Sequence, residues 1–188
     1  MAYRTHRYDD SPYLLHDILA NIEDEPGKEI TRRIIGLFSD AKLPIKVKHH
    51  GYDMPCSWYR ISCCNRKNID SVIISTKTGY GKSAIAGLIL QVRIKTPQTF
   101  KKLDEFSTNV RKQILTGRDC NFCPTGCKGS DCIFEYQGNT FVKCMNIGCN
   151  FRLKDIDAND IDSIMAIVKA EVFDHLKSLT RSDSNSKP

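Results

Sequence analysis

The chain has 188 residues, of which 40% are hydrophobic and 27% charged, with nine cysteines and a formal net charge of +6. This composition excludes a collagen-like rod, a coiled coil and wholesale disorder, and the length suits one domain with a small appendage. Apolar runs fall far short of the roughly 20 residues that span a bilayer. Asp9 and Asp10 stand where a secretory signal has its apolar segment, so we expect an intracellular protein, cytoplasmic or nuclear.

Two amphipathic helices are predicted at the start of the chain. A serine and a proline at residues 11–12 form a capping start, and apolar residues follow at helical spacing as far as Ile22. A second helix is predicted after the proline and glycine at residues 26–27. Apolar residues repeat there with the same period from Ile30 to Ala41.

In the next segment the apolar period changes to two, which predicts an antiparallel sheet. The β-prone runs cover residues 45–48, 57–64, 70–76 and 85–95. In the last run, apolar residues alternate with Gln91, Arg93 and Lys95. Such alternation is typical of a sheet that is packed on one face and open on the other. The open face is therefore expected to be basic.

Two more helices are predicted in the second half of the chain. One covers residues 97–116, because a threonine and a proline provide its start and Gly117 its stop. A short strand is expected around residues 151–154. The final helix begins near Asn159 and carries two aspartates in its first turn, where they interact favourably with the helix dipole.

The positive charge is concentrated in the middle of the chain. Residues 42–118 hold 15 basic and 4 acidic residues, a net charge of +11, and the segments on either side are slightly acidic. Such a block favours binding of nucleic acid through its phosphates, with a merely solubilising surface as the alternative. Trp58, Tyr59 and Tyr80 are candidate stacking partners for bases, with a place in the hydrophobic core as the favoured alternative for each of them. The candidate nucleic-acid-binding residues are Lys46, Lys48, Arg60, Arg66, Lys67, Lys77, Lys82, Arg93, Lys95, Lys101, Lys102, Arg111 and Lys112.

Six of the nine cysteines lie within 30 residues, with the spacing Cys-x2-Cys-x3-Cys-x4-Cys-x11-Cys-x4-Cys. In a reducing compartment, clustered thiols are more often metal ligands than disulfides. Between them, two β-prone runs at residues 133–136 and 140–143 surround Gln137, Gly138 and Asn139, which predicts a hairpin with a tight turn. We therefore expect one structural Zn²⁺ bound by four cysteines, a closed site that cannot activate water.

A cysteine turn, a hairpin and a second cysteine turn together resemble a zinc ribbon, most closely the small ribbons of bacterial type I topoisomerases. The matching residues, within about 30 residues of the chain, are Gly138, Phe141, Cys144, Cys149 and Phe151. The resemblance implies contact with nucleic acid or protein and no catalysis. The first turn departs from that family's Cys-Pro-x-Cys, because Pro124 follows Cys123. The preferred zinc ligands are Cys120, Cys123, Cys144 and Cys149, with Cys127 and Cys132 as alternates.

The predicted architecture is an α+β fold, with an antiparallel sheet flanked by helices and a zinc-ribbon-like hairpin. Its expected divisions are an α+β domain with a basic sheet at 1–118, a zinc-ribbon-like module at 119–155, a C-terminal helix packing back at 156–180 and a flexible tail at 181–188.

Three functions are consistent with these patterns. The first is a small zinc-binding protein that contacts RNA or DNA mainly through phosphates, and the second is an adaptor that binds an acidic protein partner. The third is an enzyme that uses Cys56, Cys63 and Cys64, or the Gly79–Ser83 loop. That loop ends like a phosphate-binding loop but has Thr76 in place of the first glycine. Because the acids of the basic segment are dispersed, no catalytic residue is assigned.

Overall fold

A six-stranded antiparallel sheet forms the centre of the molecule. The computed structural model describes residues 4–7, 12–50, 58–65, 69–78, 85–117, 119, 131–144 and 151–174. In chain order the strands are β1 (Arg4–Arg7), β2 (Ile45–His50), β3 (Trp58–Cys64), β4 (Asp70–Thr78), β5 (Ile85–Val92), β6 (Asp131–Tyr136), β7 (Asn139–Cys144) and β8 (Phe151–Leu153). The large sheet has the order β1-β2-β3-β4-β5-β8, and β6 pairs with β7 as a separate hairpin.

Five α-helices accompany the sheet, and the predicted α+β class is confirmed. They are α1 (Pro12–Ala20), α2 (Glu25–Asp40), α3 (Pro97–Lys101), α4 (Thr108–Leu115) and α5 (Asp160–Val168), the last continued by a π-helical turn at Lys169–Asp174. Among the described residues, no helix is long and apolar enough to cross a bilayer.

One face of the sheet packs against the helices. The register aligns Val47, Ile61, Ile74, Leu90 and Leu153 across five strands, and all five are buried. They belong to one hydrophobic core together with apolar residues of every α-helix. Because side chains alternate along a strand, the residues between them lie on the opposite face. The packing of one face against the helices is confirmed, but the opposite face is only partly open, because Ser62, Ile73 and Gln91 on that face are buried.

The second helix starts slightly before its predicted position. Asp24 is its N-cap, and the Asp24 carboxylate accepts a hydrogen bond of 2.5 Å from the Gly27 N–H. A Cβ on Gly27 would lie 2.7 Å from that carboxylate, so the cap requires glycine there. Pro26 sits in the first turn, where its missing N–H costs nothing.

The single helix predicted over residues 97–116 is wrong. Helix α3 ends at Lys101, a 3₁₀ turn covers Leu103–Glu105, and α4 begins after Ser107. The Ser107 N–H donates to Ser163 Oγ at 2.8 Å instead of to a carbonyl in a preceding turn. Its hydroxyl donates to Asp160 Oδ1 at 2.5 Å and accepts from the Val110 N–H. A distant contact with α5 therefore interrupts the helix.

The predicted hairpin is confirmed as β6 and β7, but its turn is one residue shorter than predicted, because Asn139 belongs to β7 and pairs with Tyr136. Gln137 and Gly138 have φ angles of 49° and 76°, the left-handed conformation at both central positions of a two-residue turn. Phe134 stacks on Phe100 of α3 at 4.0 Å between ring centroids, and Phe141 stacks on Phe134 at 5.2 Å. The hairpin therefore packs on the same hydrophobic core as the large sheet.

Candidate functional site

The sheet face opposite the helices carries basic residues from three of its strands and a further one just after β5. One register row joins Lys46, Ser62, Ile73, Gln91 and Arg152. The neighbouring row joins Lys48, Arg60, Ser75 and Ile89. Directly paired residues of an antiparallel sheet point to the same side. Arg93 continues this side beyond β5, since its N–H donates to Ser71 O at 3.0 Å. We call the five basic residues Lys46, Lys48, Arg60, Arg93 and Arg152 the cationic face.

The cationic face has little acidic compensation from the strands that build it. Asp70 is the only acidic residue in the six strands of the sheet. Its carboxylate, at the first residue of β4, accepts a hydrogen bond of 3.3 Å from the Cys64 thiol. Lys48 and Arg152 are exposed, and Lys46, Arg60 and Arg93 are half-buried. Positive charge is thus concentrated on one face of the sheet.

The structure divides the predicted basic residues into two groups. Lys46, Lys48, Arg60 and Arg93 share the cationic face, and Lys95 lies between β5 and α3, outside the strands. The other group is helical and lies on the core side of the sheet, with Arg111 paired to Asp104 at 3.3 Å. That second group consists of Lys101, Lys102, Arg111 and Lys112. Lys77 is in β4, but its side chain is not among those described, and Arg66, Lys67 and Lys82 lie outside the described residues.

Two further predictions on this surface have different outcomes. Tyr59 is buried in the hydrophobic core, on the face that packs against the helices, which is the alternative favoured for it over a stacking role. The Trp58 side chain and the whole of Tyr80 lie outside what the structure describes. Arg152 was missed, because only the pairing of β8 with β5 brings it beside Gln91. Its alternation with Phe151 and Leu153 was the available sequence signal.

The sheet thiols are poor nucleophiles. Cys63 belongs to the hydrophobic core, where burial raises its pKa. Burial, and then the hydrogen bond to Asp70, raise the pKa of Cys64 to about 11. Both thiols are therefore protonated near neutral pH, whereas nucleophilic attack requires the deprotonated thiolate. Cys56 and the Gly79–Ser83 loop lie outside the described residues.

The hairpin presents its two cysteines on opposite faces. Cys132 pairs with Lys143, and Cys144 pairs with Asp131, so the two cysteines occupy successive ladder positions. Cys132 belongs to the hydrophobic core, and its burial, followed by the charge of Glu171, raises its pKa to about 11. Cys144 is equally buried but is not part of that core.

Lys143 fixes the preceding chain beside the end of β7. Its ammonium donates to Gly117 O at 2.8 Å and to Asp119 Oδ1 at 2.6 Å. Asp119 also forms an isolated β-bridge with Lys143. Residues 119, 131 and 144 therefore meet at one place, which we call the hairpin base. It borders the undescribed segments that contain Cys120, Cys123, Cys127 and Cys149.

Within the described part of the chain, His, Cys, Asp and Glu side chains form no group of three or more that could hold a metal ion. No family model, curated protein or solved structure matches this chain. The cationic face and the hairpin base are therefore the two candidate functional sites of the described residues.

Proposed function

We propose that this protein binds nucleic acid, RNA or DNA, through contacts between the cationic face and phosphates, without catalysing a reaction. The observation that supports this function is the register that gathers four basic residues from three strands, with Arg93 just beyond β5, on one face whose strands contain a single carboxylate.

The spacing of these residues suits a polyanionic chain. Paired residues on adjacent strands lie about 5 Å apart, and residues two apart on one strand lie about 7 Å apart. Lys46, Lys48 and Arg60 therefore form a compact positive group in which a backbone with regularly repeated phosphates meets several charges at once. Each neutralised phosphate releases condensed counterions, so the affinity falls with salt.

Two triple variants with the same loss of charge test this function. The sheet variant carries Lys46→Gln, Lys48→Gln and Arg60→Gln, and the helix variant carries Lys101→Gln, Lys102→Gln and Lys112→Gln. Binding of a labelled oligonucleotide is measured by anisotropy over a range of salt concentrations. We expect the sheet variant to lose about three units of the log–log salt slope, one for each contact, and the helix variant to retain it. Equal losses in both variants would show that net charge alone drives binding.

A second experiment separates nucleic acid from an acidic protein partner. The full chain is immobilised and partners are recovered from a lysate with and without nuclease. Under the proposed function, nuclease removes the recovered partners, because they are bridged by nucleic acid. Retention of one acidic protein after nuclease treatment would instead support an adaptor.

We also propose one structural Zn²⁺ at the hairpin base, bound by Cys144 with Cys120, Cys123 and Cys149. Cys144 is favoured over Cys132 because it is buried outside the hydrophobic core, whereas the Cys132 thiol packs inside it. Four sulfurs around one zinc each lie about 2.3 Å from the metal, so sulfurs on opposite faces of a hairpin cannot share it. Cys127 remains the alternate ligand.

Elemental analysis of two single variants tests the metal site. Protein purified without chelator is expected to hold about one zinc per chain. Cys144→Ser should lose the zinc, and Cys132→Ser should retain it, since its thiol is a core side chain. Equal zinc contents in the two variants would contradict this ligand set, and protein without zinc would contradict the site.

A further inference from the structure

The first residue of β3 occupies a position on the cationic face. The β2–β3 register pairs Trp58 with His50. Two residues further along β3, it pairs Arg60 with Lys48. Tyr59, which lies between them in β3, belongs to the hydrophobic core. Because successive residues of a strand alternate between the two faces, residue 58 shares its face with Arg60. An aromatic position therefore adjoins the basic pair of Lys48 and Arg60.

The backbone around Trp58 is held on both sides. The ladder with β2 continues as far as His50, the last residue of that strand. On the β4 side, the Tyr59 N–H donates a hydrogen bond of 2.9 Å to Thr76 Oγ1. Thr76 is buried and lies at the irregularity of the β4–β5 register. The start of β3 is therefore fixed, so a ligand that binds there does not have to order this part of the backbone.

Lys48 and Arg60 supply positive charge close to this position. Lys48 is exposed and Arg60 is half-buried, and neither β2 nor β3 contains an acidic residue. Residues two apart on one strand lie about 7 Å apart, and directly paired residues lie about 5 Å apart. The base and the phosphate of one nucleotide are joined through a single sugar and are separated by a comparable distance. An aromatic residue for the base and cations for the phosphates are therefore available to the same short stretch of nucleic acid.

An aromatic position beside basic residues suits a single strand better than a duplex. Aromatic side chains stack on bases of any sequence when a face of the base is uncovered. In a duplex each base is already stacked and paired, and its extrusion costs free energy. Phosphate contacts alone do not distinguish the two forms, because both carry the same charged backbone. The aromatic position is thus the feature that selects between them.

We propose that Trp58, Lys48 and Arg60 form a binding site for single-stranded nucleic acid, in which Trp58 stacks on a base and the two cations contact the adjoining phosphates. This inference rests on the proposed function, because it names the form of nucleic acid that the cationic face binds. The shared chemistry is an unpaired base on a phosphate backbone, which single-stranded DNA and single-stranded RNA both provide.

The fluorescence of Trp58 tests the site directly, because it is the only tryptophan in the chain. The full chain is titrated with a short oligothymidine strand, with the matching oligouridine strand, and with a blunt duplex of the same length. We expect at least one single strand to quench the fluorescence saturably, and the tighter of the two identifies DNA or RNA as the ligand. The duplex should bind about tenfold more weakly. If neither strand changes the fluorescence, or if the duplex binds as tightly as the strands, the inference is overturned.

Two substitutions separate stacking from charge. Trp58→Ala should weaken binding of a labelled single strand about tenfold by anisotropy. Trp58→Phe keeps an aromatic ring and should lose much less. Inorganic polyphosphate, a polyanion without bases, should bind both variants like the parent. Equal weakening of polyphosphate and strand binding by Trp58→Ala would show that the residue serves the fold, and would overturn the stacking site.

The failure of this inference differs from the failure of the proposed function. If the single strand binds Trp58→Ala as tightly as the parent, with a salt-dependent affinity, the phosphate contacts stand and the stacking site is overturned. If no oligonucleotide, single or double, binds the parent at low salt, the proposed function fails together with this inference. Circular dichroism of both variants confirms that they are folded.

Discussion

The two faces of the large sheet are built from the same strands and have opposite chemistry. Ile74 points into the hydrophobic core, and its neighbour Ile73 points to the cationic face, yet both are fully buried. Ile74 is covered by a layer of helices. Ile73 lies between Ser62 and Gln91 on the paired strands, which are themselves almost buried. Burial alone therefore does not reveal which face holds the fold together.

The comparison suggests that stability resides on one face and binding on the other. The core face aligns apolar residues across five strands, and a change there leaves a cavity within packed helices. The cationic face has short polar residues and long basic side chains, whose aliphatic stems can close over a gap. Substitutions at equivalent positions on the two faces should therefore separate the free energy of unfolding from affinity for a polyanion.

The largest expected effect is on stability, from substitutions of the two adjacent isoleucines. Ile74→Ala should lower the free energy of unfolding by about 2 to 5 kcal/mol, because the rigid helices cannot fill the cavity. Ile73→Ala should cost only about 1 to 2 kcal/mol, because its polar neighbours can collapse onto the alanine. Urea unfolding of both variants measures the difference. Equal losses would show that the cationic face is packed as tightly as the core.

Much of this two-sided sheet was predictable from local pattern, since the apolar period of two gives each strand an inner and an outer side. The separation of Cys132 from Cys144 was not predictable in this way. The predicted turn over residues 137–139 would pair residue 132 with 144, whereas the observed two-residue turn pairs residue 132 with 143 and places residue 144 on the other face.

The features that sequence reasoning missed depend on distant partners. The break before α4 arises from Ser163 and Asp160, more than fifty residues along the chain from Ser107. The cap on α3 comes from Glu171, again far away in sequence. Counting charges likewise cannot separate the basic residues of the helices from those of the sheet.

An intermediate loss of stability is expected at alkaline pH, where the thiols of Cys63 and Cys64 lose their protons. The folded state raises the pKa of Cys64 from 9.0 to about 11, so it favours the protonated thiol. The corresponding stability is therefore intact below about pH 9 and is lost as the pH rises toward 11. Burial also raises the pKa of Cys63, on the core face, so its contribution has the same sign.

Asp70→Asn discriminates between these two thiols. The carboxylate of Asp70 accepts the Cys64 thiol hydrogen bond and opposes the negative charge of the thiolate. Its neutralisation should lower the pKa of Cys64 and move that of Cys63 much less, because burial dominates for Cys63. The thiolate absorbance of single-cysteine variants, followed against pH, measures each value. Equal downward shifts of both thiols would show that Asp70 acts on Cys63 as strongly as on Cys64, its hydrogen-bonded partner.

The smallest expected effect on stability comes from the cationic face itself. Lys48 is exposed and lies beside Arg60 across the β2–β3 ladder, where like charges repel. Lys48→Gln should leave the free energy of unfolding within about 0.5 kcal/mol of the parent, or raise it slightly, while reducing the salt slope of oligonucleotide binding by about one. Urea unfolding of this variant measures its free energy of unfolding, and anisotropy measures the salt slope of oligonucleotide binding. A large loss of stability without loss of binding would mean that Lys48 serves the fold, and the division of roles between the two faces would fail at that position.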